Sequence, residues 1–89
     1  MLMLPAEITH SNARSCAHML VQALQQSDPA VVADASALTK FDSSALAVLL
    51  NCRREAQVVG KTFSVRALPP KLRALASMYG VAELLPAAP

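Results

Sequence analysis

Apolar residues recur at helical spacing in three stretches of this chain, and each stretch follows a short apolar run. That alternation restricts the fold more than any other feature. Strands joined by helical crossovers form an α/β sheet with parallel neighbours. From Ala13 the apolar positions are Cys16, Ala17, Leu20 and Leu24, which share one helix face. Arg14, Ser15, His18, Gln22 and Gln25 then fall toward water. Ser11 or Asn12 can cap this helix. Ser27-Asp28-Pro29 should end it, because proline disfavours helical geometry in the residue before it.

The run Ala30-Val31-Val32-Ala33-Asp34-Ala35 is nearly all apolar, as in a buried parallel strand. Ser36 to Phe41 carries the chain to the rim of the sheet. A second helix, capped by Ser43 or Ser44, runs to about Val59 and stops at Gly60. Ala45, Leu46, Leu49, Leu50, Cys52, Ala56 and Val59 form its expected buried stripe. Ala47, Val48, Asn51 and Arg54 face outward by the same spacing. Thr62 to Ala67 alternates as a strand does. Pro69-Pro70 opens a third helix, with Leu72, Leu75, Ala76 and Tyr79 inward and Gly80 at its end. Val81 to Leu85 packs back before a Pro86–Pro89 tail. At the other end, Leu2 to Ile8 is apolar enough for a strand, which Pro5 makes an edge or an irregular one.

The chain has 89 residues, enough for one domain, 1–89, with one modest core. Apolar residues make up 54% of it, which argues against disorder. Aromatics are few and basic residues scattered, so nucleic acid is not an expected partner. No apolar run is long enough to span a bilayer, and Met1–Pro5 does not read as a signal peptide. The expected location is the cytoplasm. Cys16 and Cys52 read as buried structural thiols.

Catalytic constellations are missing at the level of sequence. The only glycines, Gly60 and Gly80, sit at helix ends, so there is no phosphate-binding loop. His10 and His18, in the first third of the chain, have no evident route to Ser43, and a serine nucleophile needs such a base. Cys16 and His18 are two apart on a helix and point to different faces, against a shared metal. No catalytic residue, cofactor or metal is expected. What remains is Asp42-Ser43-Ser44, two hydroxyls and a carboxylate at a helix N-terminus. A plain cap and a docking site both fit these residues.

Asp42-Ser43-Ser44-Ala45-Leu46, at the start of a helix after an apolar strand, is similar to the Asp-Ser-Ser-Gly-Leu signature of STAS domains (sulfate transporter and anti-sigma factor antagonist). The stretch Pro70-x-Leu72-x-Ala74-Leu75-Ala76-x-x-Tyr79-Gly80-Val81-x-x-Leu84-Leu85-Pro86 resembles the ending of MlaB-like STAS subunits of Mla-type ABC transport systems. Those systems move phospholipid between bacterial membranes and maintain outer-membrane lipid asymmetry. The resemblance runs from about Ile8 to Leu85. Ala45 stands where the motif has glycine, and a leading strand of many relatives is missing or reduced to Met1–Pro5.

The resemblance implies an α/β, STAS-like single domain whose mixed, mostly parallel sheet is flanked by about three main helices. It also implies no enzymatic activity. In the Mla branch the subunit is cytoplasmic and binds the ATPase subunit of the transporter with its permease complex, at the inner membrane but not inserted in it. Ser43 falls at that interface. Asp42, Ser43, Ser44, Ala47, Val48, Asn51 and Arg54 are the expected partner-binding residues. In the anti-sigma antagonist branch the position of Ser43 is phosphorylated, and the partner is a serine kinase acting as anti-sigma factor.

Overall fold

The computed structural model describes residues 1–26 and 28–88. In chain order the elements are β1 (Leu2–Met3), β2 (Glu7–Ile8), α1 (Ala13–Gln25), β3 (Ala30–Asp34), β4 (Lys40–Phe41), α2 (Ser44–Val58), β5 (Thr62–Arg66) and α3 (Pro70–Met78). A 3-10 turn at Ala82–Leu84 follows. β3 is the middle strand of a three-stranded sheet in the order β1-β3-β5. β2 and β4 form a separate pair, and every ladder among the described residues is parallel. In the longest ladder Ala30 to Asp34 run opposite Thr62 to Arg66.

One cluster of buried side chains joins the sheet to the helices. Ile8, Leu20, Leu24, Val31, Leu49, Val65, Leu72 and Leu85 are its largest members. Burial of this apolar surface is the main favourable term in folding. The two glycines end their helices as expected. Gly60 (φ 76°) and Gly80 (φ 72°) are left-handed, a conformation that costs other residues a Cβ clash. The amides that follow point back: Lys61 N–H donates to Ala56 O at 2.8 Å and Val81 N–H to Ala76 O at 2.9 Å. These bonds satisfy carbonyls that a helix end leaves open.

Several expectations change in three dimensions. Pro5 splits the Leu2–Ile8 run into β1 and β2, and the two join different sheets. The passage to the rim contains a strand of its own, β4, whose Lys40 and Phe41 pair with Glu7 and Ile8. The proline-rich tail bonds to the sheet: Val65 N–H donates to Pro86 O at 2.8 Å and Ala88 N–H to Val65 O at 2.9 Å. Val59 and Tyr79, expected inward, are exposed because each lies at the C-cap of its helix, beyond the last packed turn. α1 ends at Gln25, and the Ser27 of its expected stop lies outside the described residues.

Candidate docking site at the start of the second helix

α2 packs on β5 beneath it and along α1 at its side. These contacts decide which of its faces remain open. Ala45, Leu46, Val48, Leu49, Cys52 and Ala56 are buried. Val48, expected on the outer face, is only 3% exposed. Helical spacing puts it near the edge of the apolar arc, and tertiary packing extends the buried arc past it. Val48 therefore offers a partner no contact area. The stripe that stays at the surface starts at Ser43 and continues through Ala47 and Arg54, with Asn51 half-buried beside them. Spacings of four and three residues keep these positions on one face. Arg54 lies 3.9 Å from the Glu55 carboxylate, a loose surface pair of little energetic weight.

The cap of α2 is not a serine hydroxyl. Asp42 Oδ1 accepts the Ser44 N–H at 2.8 Å, and Asp42 O accepts the Ala45 N–H at 3.0 Å. Ser43 itself has helical dihedrals (φ −62°, ψ −17°) and makes no side-chain cap bond. The carboxylate at position 42 thus fills the role expected of Ser43 or Ser44, and the exposed Ser43 hydroxyl stays outside the cap. Ser44 is half-buried behind it.

The other carboxylate oxygen crosses the chain. Asp42 Oδ2 accepts the His10 N–H at 3.1 Å, and the imidazole Nδ1 lies 3.5 Å away. The sequence offers no link between His10 and this segment; the β2–β4 ladder brings His10 to Asp42, not to the Ser43 hydroxyl. Pairing Ile8 with Phe41 makes the chain leave the two strands side by side, so the loop before α1 meets the start of α2. No local pattern announces this contact, because its partners lie 32 residues apart. The Ser44 amide, helped by the His10 amide, holds the Asp42 carboxyl below the ordinary carboxylate range against some desolvation.

The remaining reactive side chains lie elsewhere. Cys16 and Cys52 are free and buried. Burial pushes both thiols up, Cys52 to about 12, which suits packing and not nucleophilic work. His18 sits on the exposed face of α1 with its Nε2 3.2 Å from Gln22 Nε2. Among the described residues no three potential metal ligands gather, and no helix is long and apolar enough to cross a membrane. Two clefts, of about 250 and 220 Å³, are lined by other residues: Arg53, Gln57 and Phe63 in one, Pro5, Cys16 and Met19 in the other. Neither cleft is lined by Ser43, which lies on an exposed part of the surface.

Comparison with known proteins gives the fold a context. A family model described as "Mlab, STAS domain" matches residues 1–86. The unphosphorylated form of the anti-sigma factor antagonist SpoIIAA superposes with a TM-score of 0.73 at 19% identity, over 98% of this chain and 76% of that one. A putative anti-sigma factor antagonist from Thermotoga maritima superposes with a TM-score of 0.77 at 16% identity, over 96% and 75%. At such identities the likeness is one of fold. No curated protein matches the chain in sequence.

Proposed function

Because the chain belongs to the MlaB-like STAS-domain family, a family of protein-interaction modules, we propose that it is a non-catalytic subunit that binds the ATPase of a phospholipid-transporting ABC system. On this reading it acts in the cytoplasm, held at the inner membrane through its partner. It supports the ATPase, and so the maintenance of outer-membrane lipid asymmetry, without performing chemistry of its own. ATP belongs to the partner. The observation that carries the reading is the state of Ser43: exposed, free of side-chain capping duty, and first in an outward stripe with Ala47, Asn51 and Arg54 on a helix whose opposite face is buried. Small Ala47 lets another backbone approach closely. Binding to the folded, assembled ATPase alone would stabilise that state by mass action.

Ser43→Arg tests the proposal. The variant should fold as the parent does and lose co-purification with a co-expressed ATPase of an Mla-type ABC system. Undiminished complex yield would show that docking does not use this face.

A second reading, an anti-sigma antagonist-like regulator switched by phosphorylation of Ser43, draws support from the exposed hydroxyl and from the fold neighbours. The cap weighs against it. The Ser44 amide that would receive a phosphate is already held by Asp42, and the carboxylate would repel the added charge of about −1.5 to −2. Intact mass after co-expression with the neighbouring genes separates the readings, since a stoichiometric gain of one phosphate supports the switch.

A further inference from the structure

We infer that the cleft between α2, β5 and the 3-10 turn binds a small dipolar molecule that carries both a carboxylate and an ammonium group, a free α-amino acid. This goes beyond the docking reading and does not depend on it. The cleft, of about 250 Å³, is lined by Arg53 and Gln57 of α2, Phe63 of β5, Glu83 of the turn and Pro86 of the tail. The backbone of β5 supplies the first observation. Successive residues of a strand turn their N–H and C=O groups to opposite sides. Thr62 N–H donates to Pro29 O at 2.9 Å and Arg66 O accepts the Ala35 N–H at 2.8 Å, so the even-numbered residues face β3. Phe63 and Val65 therefore face the outer edge. Val65 is satisfied there by the tail: its N–H donates to Pro86 O at 2.8 Å and its O accepts the Ala88 N–H at 2.9 Å. The N–H and C=O of Phe63 have no partner among the described residues, although Phe63 is only 7% exposed and lines the cleft. Nearly all buried backbone groups in native folds are paired, so this donor and acceptor point to something that enters the cleft.

The charges supply the second observation. Arg53 and Glu83 line the cleft from different elements, and neither forms an ion pair or side-chain hydrogen bond among the described residues. Lys61 also lines it, but its Nζ is turned to the end of α1, donating to Leu24 O at 2.8 Å and to Gln25 O at 3.3 Å. A cation and a carboxylate thus border one cleft without meeting each other. A simple anion would be repelled by Glu83, and a simple cation by Arg53. A ligand with one charge of each sign satisfies both. Its carboxylate can also accept the Phe63 N–H, and its ammonium can donate to the Phe63 C=O. Size decides between one amino acid and a strand. The tail occupies the edge at Val65, and on the other side the Lys61 N–H turns back to Ala56 O at 2.8 Å, so the open edge is one residue long. The cleft has the volume of roughly eight waters at about 30 Å³ each, room for a small amino acid and not for an added peptide strand.

An NMR titration of the isotope-labelled chain with L-alanine tests the inference. The Phe63 amide signal should shift and saturate at millimolar L-alanine while the amides of Ser43 and Ala47 stay in place. Arg53→Gln and Glu83→Gln should each weaken binding about tenfold, as expected for the loss of one charge-assisted hydrogen bond. The parent chain gives the same comparison without substitution. N-acetyl-L-alanine lacks the ammonium and L-alanine methyl ester lacks the carboxylate, and each should bind about tenfold more weakly than L-alanine. Absence of a saturable shift at Phe63 overturns the inference. Acetate that shifts Phe63 as strongly as L-alanine overturns it too, because the cleft is then a site for any anion. Tri-alanine that binds more tightly than L-alanine assigns the edge to a partner's strand and overturns the single amino acid as occupant.

Discussion

The two sides of α2 differ in composition and in what packs against them. Ala45, Val48, Leu49, Cys52 and Ala56 on one side disappear into the core. Ser43, Ala47, Asn51 and Arg54 on the other stay at or near the surface, with Ala47 exposed. An alanine is found on each side, so for alanine residue type alone does not decide burial. What separates them is whether α1 and β5 lie alongside. On the proposed reading one side is answerable to stability and the other to a partner, and substitutions should divide the same way.

The largest effect expected is on the buried side. Leu49 is fully buried, and Leu49→Ala should cost about 2–5 kcal/mol by removing transfer energy and leaving a cavity. Chemical denaturation should show the midpoint falling at unchanged slope; a loss below 1 kcal/mol would mean that this side is not tightly packed. Ala47→Arg makes the opposite demand. Its stability should stay within about 0.5 kcal/mol of the parent, as for surface substitutions generally, while ATPase binding weakens at least tenfold. A destabilised Ala47→Arg would erase the distinction between the two sides.

Cys52 gives a smaller, kinetic contrast. Its thiol, fully buried and pushed up to about 12, should resist alkylation at pH 8 in the folded protein and label only as fast as the chain opens. A cysteine placed at Ala47 should label at once. Fast labelling of Cys52 would show that the buried side opens readily.

The smallest effect is acid sensitivity. The Ser36 hydroxyl and amide, with Arg66 nearby, hold the Asp34 carboxyl low, as the Ser44 and His10 amides hold that of Asp42. A carboxyl depressed on folding contributes stability that is fully present above its unfolded value, about 3.9. That contribution is lost as pH falls through the folded value. Stability should therefore be flat from neutral pH down to about 5 and decline below about 4. Asp34→Asn and Asp42→Asn should each flatten the decline, and an unchanged acid limb in both would assign it to other carboxylates.

Much of the architecture was legible in the sequence. The spans of α1, α2 and α3, the strands β3 and β5, and the roles of Gly60 and Gly80 follow from spacing and from residues with special backbone freedom. Such signals are local: a helix face repeats every three or four residues, and a left-handed glycine announces its own turn. The Asp42–Leu46 motif also pointed to the start of α2. Which oxygen caps that helix was misassigned between neighbours, since Asp42, Ser43 and Ser44 are all good caps.

Other features depend on residues far apart in the chain meeting one another. β4 is two residues long and exists only because Glu7 and Ile8 lie beside it. The burial of Val48 depends on what packs against α2, and the Pro86–Ala88 segment is held by hydrogen bonds to Val65. His10 reaches Asp42 because the β2–β4 pairing sets two loops at one rim. Periodicity says which way a side chain points from its own axis. It does not say what stands opposite, and burial and hydrogen-bond partners depend on that.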